Sequence, residues 1–500
     1  MKDAYRKFRG YTERIDALEH SMVLWSWDIE TLMPEAGMEG ASLDMSILSE
    51  MRQELFNEPE LAALVQALIG EETDVVRTAE LNKMKKALYE MQRIPPQELR
   101  DFTQLQASAT QVWAKARQNN DFASFAPVLK ELLRYKIKFA EYCKKPEQSV
   151  YDYMLGEFEE GMTTEVLDDF FDKLRRNIAP LLKDIIRHKD RVPADFLRRP
   201  VAKEKQKAFA EWVLPYIGFD MKRGVMAESA HPFTSGISRN NVRLTTHYYE
   251  ALPISSIFST IHEGGHGIYE QGITDSDLVA GSWVCDAISM GVHESQSRFY
   301  ENIIGRSLAF WKPIYEKLRE MTGEWEDIAL EDFVRALNAV APDMIRTEAD
   351  EVCYSLHIMV RYELEKRLFA GELSVDDLPG EWNRLYEEYL GITPKNDAEG
   401  VLQDIHWSMG SFGYFPSYAL GNAYAAQLYH QMQKELPVDE LLAQGDLPAI
   451  RRWLSEKVHR YGATETSDSL LSKVTGEPFN PQYYIDYLTE KFSAIYGLSS

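Results

Sequence analysis

The sequence predicts a mainly α protein, and three observations carry that expectation. Apolar residues recur at three- and four-residue spacing through most of the chain, as in Ile15, Leu18, Met22 and Val23. Prolines fall where helices start or stop, at Pro34, Pro95-Pro96 and Pro193. One stretch alone, Asn241-Val-Arg-Leu-Thr-Thr-His-Tyr-Tyr249, alternates as a strand does, with Val242, Leu244, Thr246 and Tyr248 on one side.

Taken in order, residues 4–57 read as a helical hairpin, broken at Met33-Pro34 and resuming from about Leu43. Trp25 and Trp27, near the end of its first arm, read as core residues rather than substrate contacts. Residues 74–91 and 96–119 are charged and amphipathic and read as scaffold, with Ala126–Leu133 as a further helix. Thr163-Thr-Glu-Val166 opens another, expected to stop at the breaks at Pro180 and Pro193. Gly218, Gly224, Pro232 and Gly236 then interrupt any helix ahead of the strand, whose edge would offer main-chain hydrogen bonds to an extended peptide. With no internal repeat and no long Gly/Ser linker, residues 1–500 read as one unit, with a hairpin over 1–70 and the chemistry within 219–420.

The 55 basic against 79 acidic residues leave a net charge of −24, which excludes bulk-surface binding to nucleic acid or anionic membrane. Cys143, Cys285 and Cys353 are odd in number and widely spaced, as expected of a reducing cytoplasm rather than a disulfide framework. No apolar run reaches the roughly 18 residues of a membrane span.

The chemistry concentrates in Ser259-Thr-Ile-His-Glu-Gly-Gly-His-Gly-Ile268. His262 and His266 stand one helical turn apart on one face and can share a metal ion. Glu263 is rotated off that face by about 100° and is free to act as general base toward a water at the metal. This is the HExxH arrangement, and on the order of 0.02 chance occurrences are expected in such a chain. Gly264 and Gly265 each cost a helix about 1 kcal/mol relative to Ala, so close approach of another backbone, from protein or substrate, is their physical explanation.

A catalytic metal needs a third protein ligand and an open position. Glu270 lies a further turn up the same helix, too far to close the site; Asp275, Asp277 and Asp286 are alternatives. Glu294 is best placed, on a second helix marked by Ile288, Val292, Phe299 and Ile303, and the neighbouring His293 is expected to pack or to support a ligand. The implied reaction is metal-assisted hydrolysis, which needs donors for a developing oxyanion. Two downstream stretches offer them: Met344-Ile-Arg-Thr-Glu-Ala-Asp350, and Gly400-Val-Leu-Gln-Asp-Ile-His-Trp407 with the Gly410, Gly413, Tyr414 and Tyr418 that follow. Arg346 in the first is either a core ion pair with Glu348 or Asp350 or a clamp for a substrate carboxylate.

These residues together resemble the Taq-type thermostable metallocarboxypeptidase family. His262-Glu-Gly-Gly-His266, His293-Glu-Ser-Gln-Ser-Arg298, Ile345-Arg-Thr-Glu-Ala349 and Gly400-Val-Leu-Gln-Asp-Ile-His-Trp407 follow its motifs in order. Its strand motif usually reads Asp-x-Arg-x-Thr; here it is Asn241-Val-Arg-Leu-Thr245, with an amide in place of the carboxylate. The pattern of other HExxH peptidases in which Asp follows the third-ligand Glu by four residues to orient a zinc histidine is absent, and Arg298 holds that place.

The resemblance implies a large helical peptidase with a deep substrate groove, a small β-sheet beside the metal site, and a homodimer. It implies a zinc carboxypeptidase of broad specificity acting on free peptide C-termini, with cobalt or manganese as alternative metals. His262, His266 and Glu294 would be the ligands and Glu263 the base, with His406 and Tyr418 as oxyanion donors. Arg243, Arg346, Asn241 and Gln403 would bind substrate, and the N-terminal hairpin would wall the groove. The alternatives are an oligopeptidase or dipeptide-releasing enzyme on the same site, or a non-catalytic peptide-binding protein.

Overall fold

A computed structural model describes residues 2–498. The N-terminal hairpin is α1 (Lys2–Thr31) and α2 (Met38–Asn57), followed by α3 (Pro59–Leu68) and α4 (Val75–Arg93). The second arm begins at Met38, ahead of the predicted Leu43, because a 3-10 turn at Glu35–Gly37 leads straight into it. These four helices enclose their own apolar cluster, including Phe8, Ile15, Leu61, Leu81 and Met84, which takes in Trp283 from the rest of the chain. Glu80 ties the two parts together, its Oε1 accepting from Arg9 Nη1 and from the backbone N of Trp283, each at 2.6 Å.

The main core is formed from α5 (Pro96–Asn119) onward. α6 (Phe122–Cys143), α7 (Val150–Phe158), α8 (Thr164–Arg187) and α9 (Lys203–Ile217) precede the sheet. The predicted stop at Pro180 does not occur, and α8 runs through it to Arg187. A proline inside a helix forfeits one backbone hydrogen bond; here Leu174, Ile178, Leu181, Leu182 and Ile185 on either side of it are buried on one face, and that burial outweighs the loss.

The expected strand is present as β3 (Asn241–Thr246), and Tyr248 falls beyond its end. Two strands were not anticipated: β1 (Gly224–Glu228), parallel to β3, and β2 (Thr234–Ser238), antiparallel to it. With the order β1-β3-β2, β3 is central and both its edges are paired, so any strand edge offered to a peptide belongs to β1 or β2.

The site is carried by α10 (Pro253–Thr274), which starts on Pro253, and by α11 (Met290–Arg298), capped by the Ser289 side chain on Val292 N. A π-helical turn, Phe299–Ile304, extends α11. Then follow α12 (Leu308–Trp311), α13 (Tyr315–Thr322), α14 (Leu330–Leu337), α15 (Glu351–Phe369), α16 (Leu378–Leu390) and α17 (Phe415–Glu435), with four shorter helices closing the chain. Among the described residues no helix is long and apolar enough to cross a membrane.

Candidate metal centre and active site

The glycines of α10 explain how these elements come so close. A Cβ at Gly265 would lie 2.8 Å from Gln296 O and from Ser297 Cα, so the backbone of α11 lies directly on the helix there. Gly264 faces protein rather than substrate: its Cβ would meet Ile217 Cδ1 at 2.6 Å and Leu214 Cδ2 at 2.9 Å, on α9. From the other side, Gly421 of α17 sits against Glu294, where a Cβ would meet Glu294 Cγ at 2.5 Å. Glycine thus sets the positions of both helices that carry ligands.

That packing brings His262, His266 and Glu294 together, with one ligand atom from each within 4.8 Å of the others. The atoms that converge are Nε2 of both histidines on Glu294 Oε2, at 3.7 and 3.4 Å. The opposite nitrogens are engaged behind them. His262 Nδ1 donates to Glu301 Oε2 at 2.7 Å. His266 Nδ1 is 2.5 Å from His293 Nδ1, whose Nε2 donates to Glu270 Oε1 at 2.7 Å. The Glu301 carboxylate fixes the Nδ1–H tautomer of His262, and a neutral His293 that donates from Nε2 to Glu270 accepts at Nδ1 from His266 Nδ1–H; both Nε2 lone pairs then face the cluster, and the donor set fits a divalent metal ion. Burial, with His293 adding to it, pushes His266 down to about 3, leaving it neutral and able to ligate. Burial would raise Glu294, but Arg298 and the histidines hold it well below the usual carboxylate range.

Three of these partners were not read from the sequence. Glu301, which supports His262, stands about two helical turns after Glu294 on the same face and lies within the π-helical turn. Arg298, one turn after Glu294, donates from Nε to Glu294 Oε1 at 2.6 Å and from Nη1 to Glu301 Oε2 at 3.1 Å. Glu270, too far up α10 to ligate, acts one residue removed through His293. Its spacing from His266 was the available signal.

Glu263 is buried and is not one of the converging ligand residues, and Thr234 of β2 donates to its Oε2 at 2.5 Å. Burial raises its pKa, and the neighbouring His262 and the Thr234 hydroxyl oppose that. His406 Nε2 and Tyr418 OH lie 3.1 Å apart. Burial drives His406 down to about 3 and Tyr418 well up, so both are neutral and the phenol keeps its proton.

The two candidate arginines differ. Arg346 does not pair with Glu348 or Asp350. Its Nε donates to Asp404 Oδ1 at 2.9 Å and its Nη1 to Tyr354 OH at 3.0 Å, and its guanidinium lies 4.7 Å over the Tyr418 ring. Asp350 instead caps α15, accepting from Val352 N and Cys353 N. Gln403 is fully occupied by protein: its Oε1 accepts from Arg346 N, and its Nε2 donates to Met344 O, Tyr386 OH and Glu399 O. It braces Arg346 and has no amide hydrogen left for a substrate. Among the described residues Arg243 bonds only to a neutral group, its Nε donating to Asn241 Oδ1 at 2.8 Å.

A family model described as Carboxypeptidase Taq (M32) metallopeptidase matches residues 7–492. The chain belongs to the M32 metallocarboxypeptidase family. Carboxypeptidase 1 of Bacillus subtilis (strain 168) is 40% identical to it over 497 residues, 99% of each chain. Thermostable carboxypeptidase 1 of Thermus thermophilus is 36% identical over 507 residues, again 99% of each. The solved structure of the M32 carboxypeptidase from Deinococcus radiodurans R1 superposes with a TM-score of 0.94 at 32% identity, covering 99% of this chain and 100% of that one. M32 membership makes the protein a metal-dependent carboxypeptidase acting on peptides, and sets aside the oligopeptidase and non-catalytic alternatives.

Proposed function

We propose that this M32 carboxypeptidase holds zinc on His262, His266 and Glu294 and cleaves with Glu263 as its base. The observation that carries this is the convergence of two imidazole Nε2 atoms and one carboxylate oxygen within 4.8 Å, with Glu263 on the same helix as the histidines and its carboxylate held by Thr234. Two nitrogens, one oxygen and an open position suit zinc, although cobalt or manganese can occupy the same ligands. When bound, the metal supplies a Lewis acid that polarises the scissile carbonyl and acidifies a water.

The chain's own residues do the rest. Glu263 takes the proton of the attacking water on its carboxylate and passes it to the departing amine. Thr234 fixes the rotamer of that carboxylate and limits how far burial can protonate it. Tyr418 and neutral His406 stabilise the developing oxyanion, and Arg346 stacked on Tyr418 keeps the phenol in place.

Arg243 receives the terminal carboxylate. Arg346 is already paired with Asp404, whereas Arg243 keeps its charge and its remaining N–H groups for a planar anion. Self-association as a homodimer is supported by Leu43, Ile47 and Met51, which form one apolar row on α2 at 63%, 47% and 48% exposure. The three free cysteines fit a cytoplasmic location.

Peptides of one sequence with free and amidated C-termini test the assignment of Arg243. Wild-type enzyme should cleave only the free form, and Arg243→Ala should raise KM for it with a smaller change in kcat. Undiminished affinity in that variant would place the carboxylate elsewhere.

A further inference from the structure

The guanidinium of Arg243 is held from two parts of the molecule. Asn241, two residues earlier on β3, accepts from its Nε at 2.8 Å. Trp27, near the end of α1, covers it with an indole ring whose centroid lies 5.0 Å from Arg243 Cζ. α1 packs against α2, α3 and α4 around the smaller apolar cluster, apart from the main core. Trp27 is only 3% exposed, yet among the described residues its buried Nε1–H has no hydrogen-bond partner, so no polar contact of its own orients the ring.

These contacts suit a cation kept ready for a ligand. An amide oxygen at residue 241 orients the guanidinium without neutralising it. An aromatic face attracts the cation through its quadrupole and removes water from one side, again without cancelling charge. With one nitrogen bonded and one face covered, the guanidinium plane is set before a planar carboxylate arrives, which lowers the ordering cost of binding.

We propose that Trp27 is a positioning residue for recognition of the peptide C-terminus, acting through Arg243, so that affinity for a free carboxylate depends on the N-terminal helices being seated. This rests on the assignment of Arg243 to the terminal carboxylate. Trp27 is buried as the sequence predicts, and the proposal adds a role to that packing.

The test uses full-length, metal-loaded enzyme, with a short product peptide and its C-terminal amide as inhibitors alongside steady-state kinetics on the parent peptide. Trp27→Leu should weaken inhibition by the free-carboxylate peptide, and raise KM, by about 3- to 30-fold. The inhibition constant of the amide should not move. Trp27→Phe, which restores an aromatic face, should recover most of the loss. In an Arg243→Ala background, Trp27→Leu should add no further discrimination between the two peptides.

Equal weakening for peptide and amide, a Phe variant as impaired as the Leu variant, or additive effects with Arg243→Ala would each overturn the role. If Trp27→Leu does not melt cooperatively, Trp27→Met, flexible and without an aromatic face, takes its place with the same expectations. Loss of discrimination in Arg243→Ala but not in Trp27→Leu overturns this inference alone. Wild-type discrimination in Arg243→Ala overturns the carboxylate assignment beneath it.

Discussion

Glu301 Oε2 accepts from His262 Nδ1 at 2.7 Å, across the π-helical turn that follows the helix of Glu294. About two helical turns apart on one face, Glu294 and Glu301 let a single segment supply both a candidate metal ligand and the group that orients another. Arg298 bridges the two carboxylates, and with burial opposing it holds Glu301 down at about 2. Removing the acceptor frees His262 to rotate or change tautomer. Glu301→Gln should therefore weaken metal binding by about 10- to 100-fold, read by competition with a chelator. Removing metal from the wild type with excess chelator should abolish peptide cleavage, and adding zinc should restore it.

Glu263 is not among the converging ligand residues, so metal retention and turnover should separate there. Glu263→Gln keeps the shape and the Thr234 contact but cannot accept a proton. The variant should bind metal as the wild type does and lose about 10²- to 10⁴-fold in kcat. Metal content and single-turnover rates on the same preparation check both halves.

Close packing at Gly421 makes a steric prediction. A methyl group there would collide with Glu294 Cγ at 2.5 Å and Cβ at 2.6 Å. Gly421→Ala should cost about 1–3 kcal/mol of stability and reduce metal affinity, because the third ligand must shift. Gly10→Ala, on α1 where nothing lies within 4 Å, should leave both properties unchanged or slightly raise stability. Thermal melting and metal titration of the two variants make the comparison.

The buried Glu365 gives stability a pH dependence of known sign. It accepts from Tyr151 OH, Trp407 Nε1 and Gly413 N, tying down the loop that carries His406. Burial, with these donors opposing it, pushes its pKa up from 4.5 to about 7. A folded-state pKa above the unfolded value means that its stabilising contribution is complete below about 4.5 and is lost as pH rises through about 7. The total is roughly 3 kcal/mol. Glu365→Gln does not titrate, so its stability relative to wild type should improve from about pH 5 to about pH 7 and level off above that. Parallel melting curves across that range decide the sign.

The helical class, the HExxH pair, Glu294 and the single central strand were legible because each depends on local spacing: one turn for the histidines, and alternation for Val242 and Leu244. What spacing cannot register is which residues meet across the molecule. β1 and β2 are short, without clear alternation, and exist because β3 pairs with them. Pro180 stays inside α8 because the burial on either side of it exceeds one lost hydrogen bond. Glu301 shares a helical face with Glu294, but its contact with His262 joins two separate helices, and Arg346 finds Asp404 instead of its sequence neighbours. Residue types and local spacing determined the reaction class, since a metal and a base need only one helical turn. Tertiary packing alone decided the supports of the ligands, the separate environments of the two arginines and the placing of Trp27 on Arg243, because those contacts join segments whose proximity is set by burial and glycine-permitted close approach.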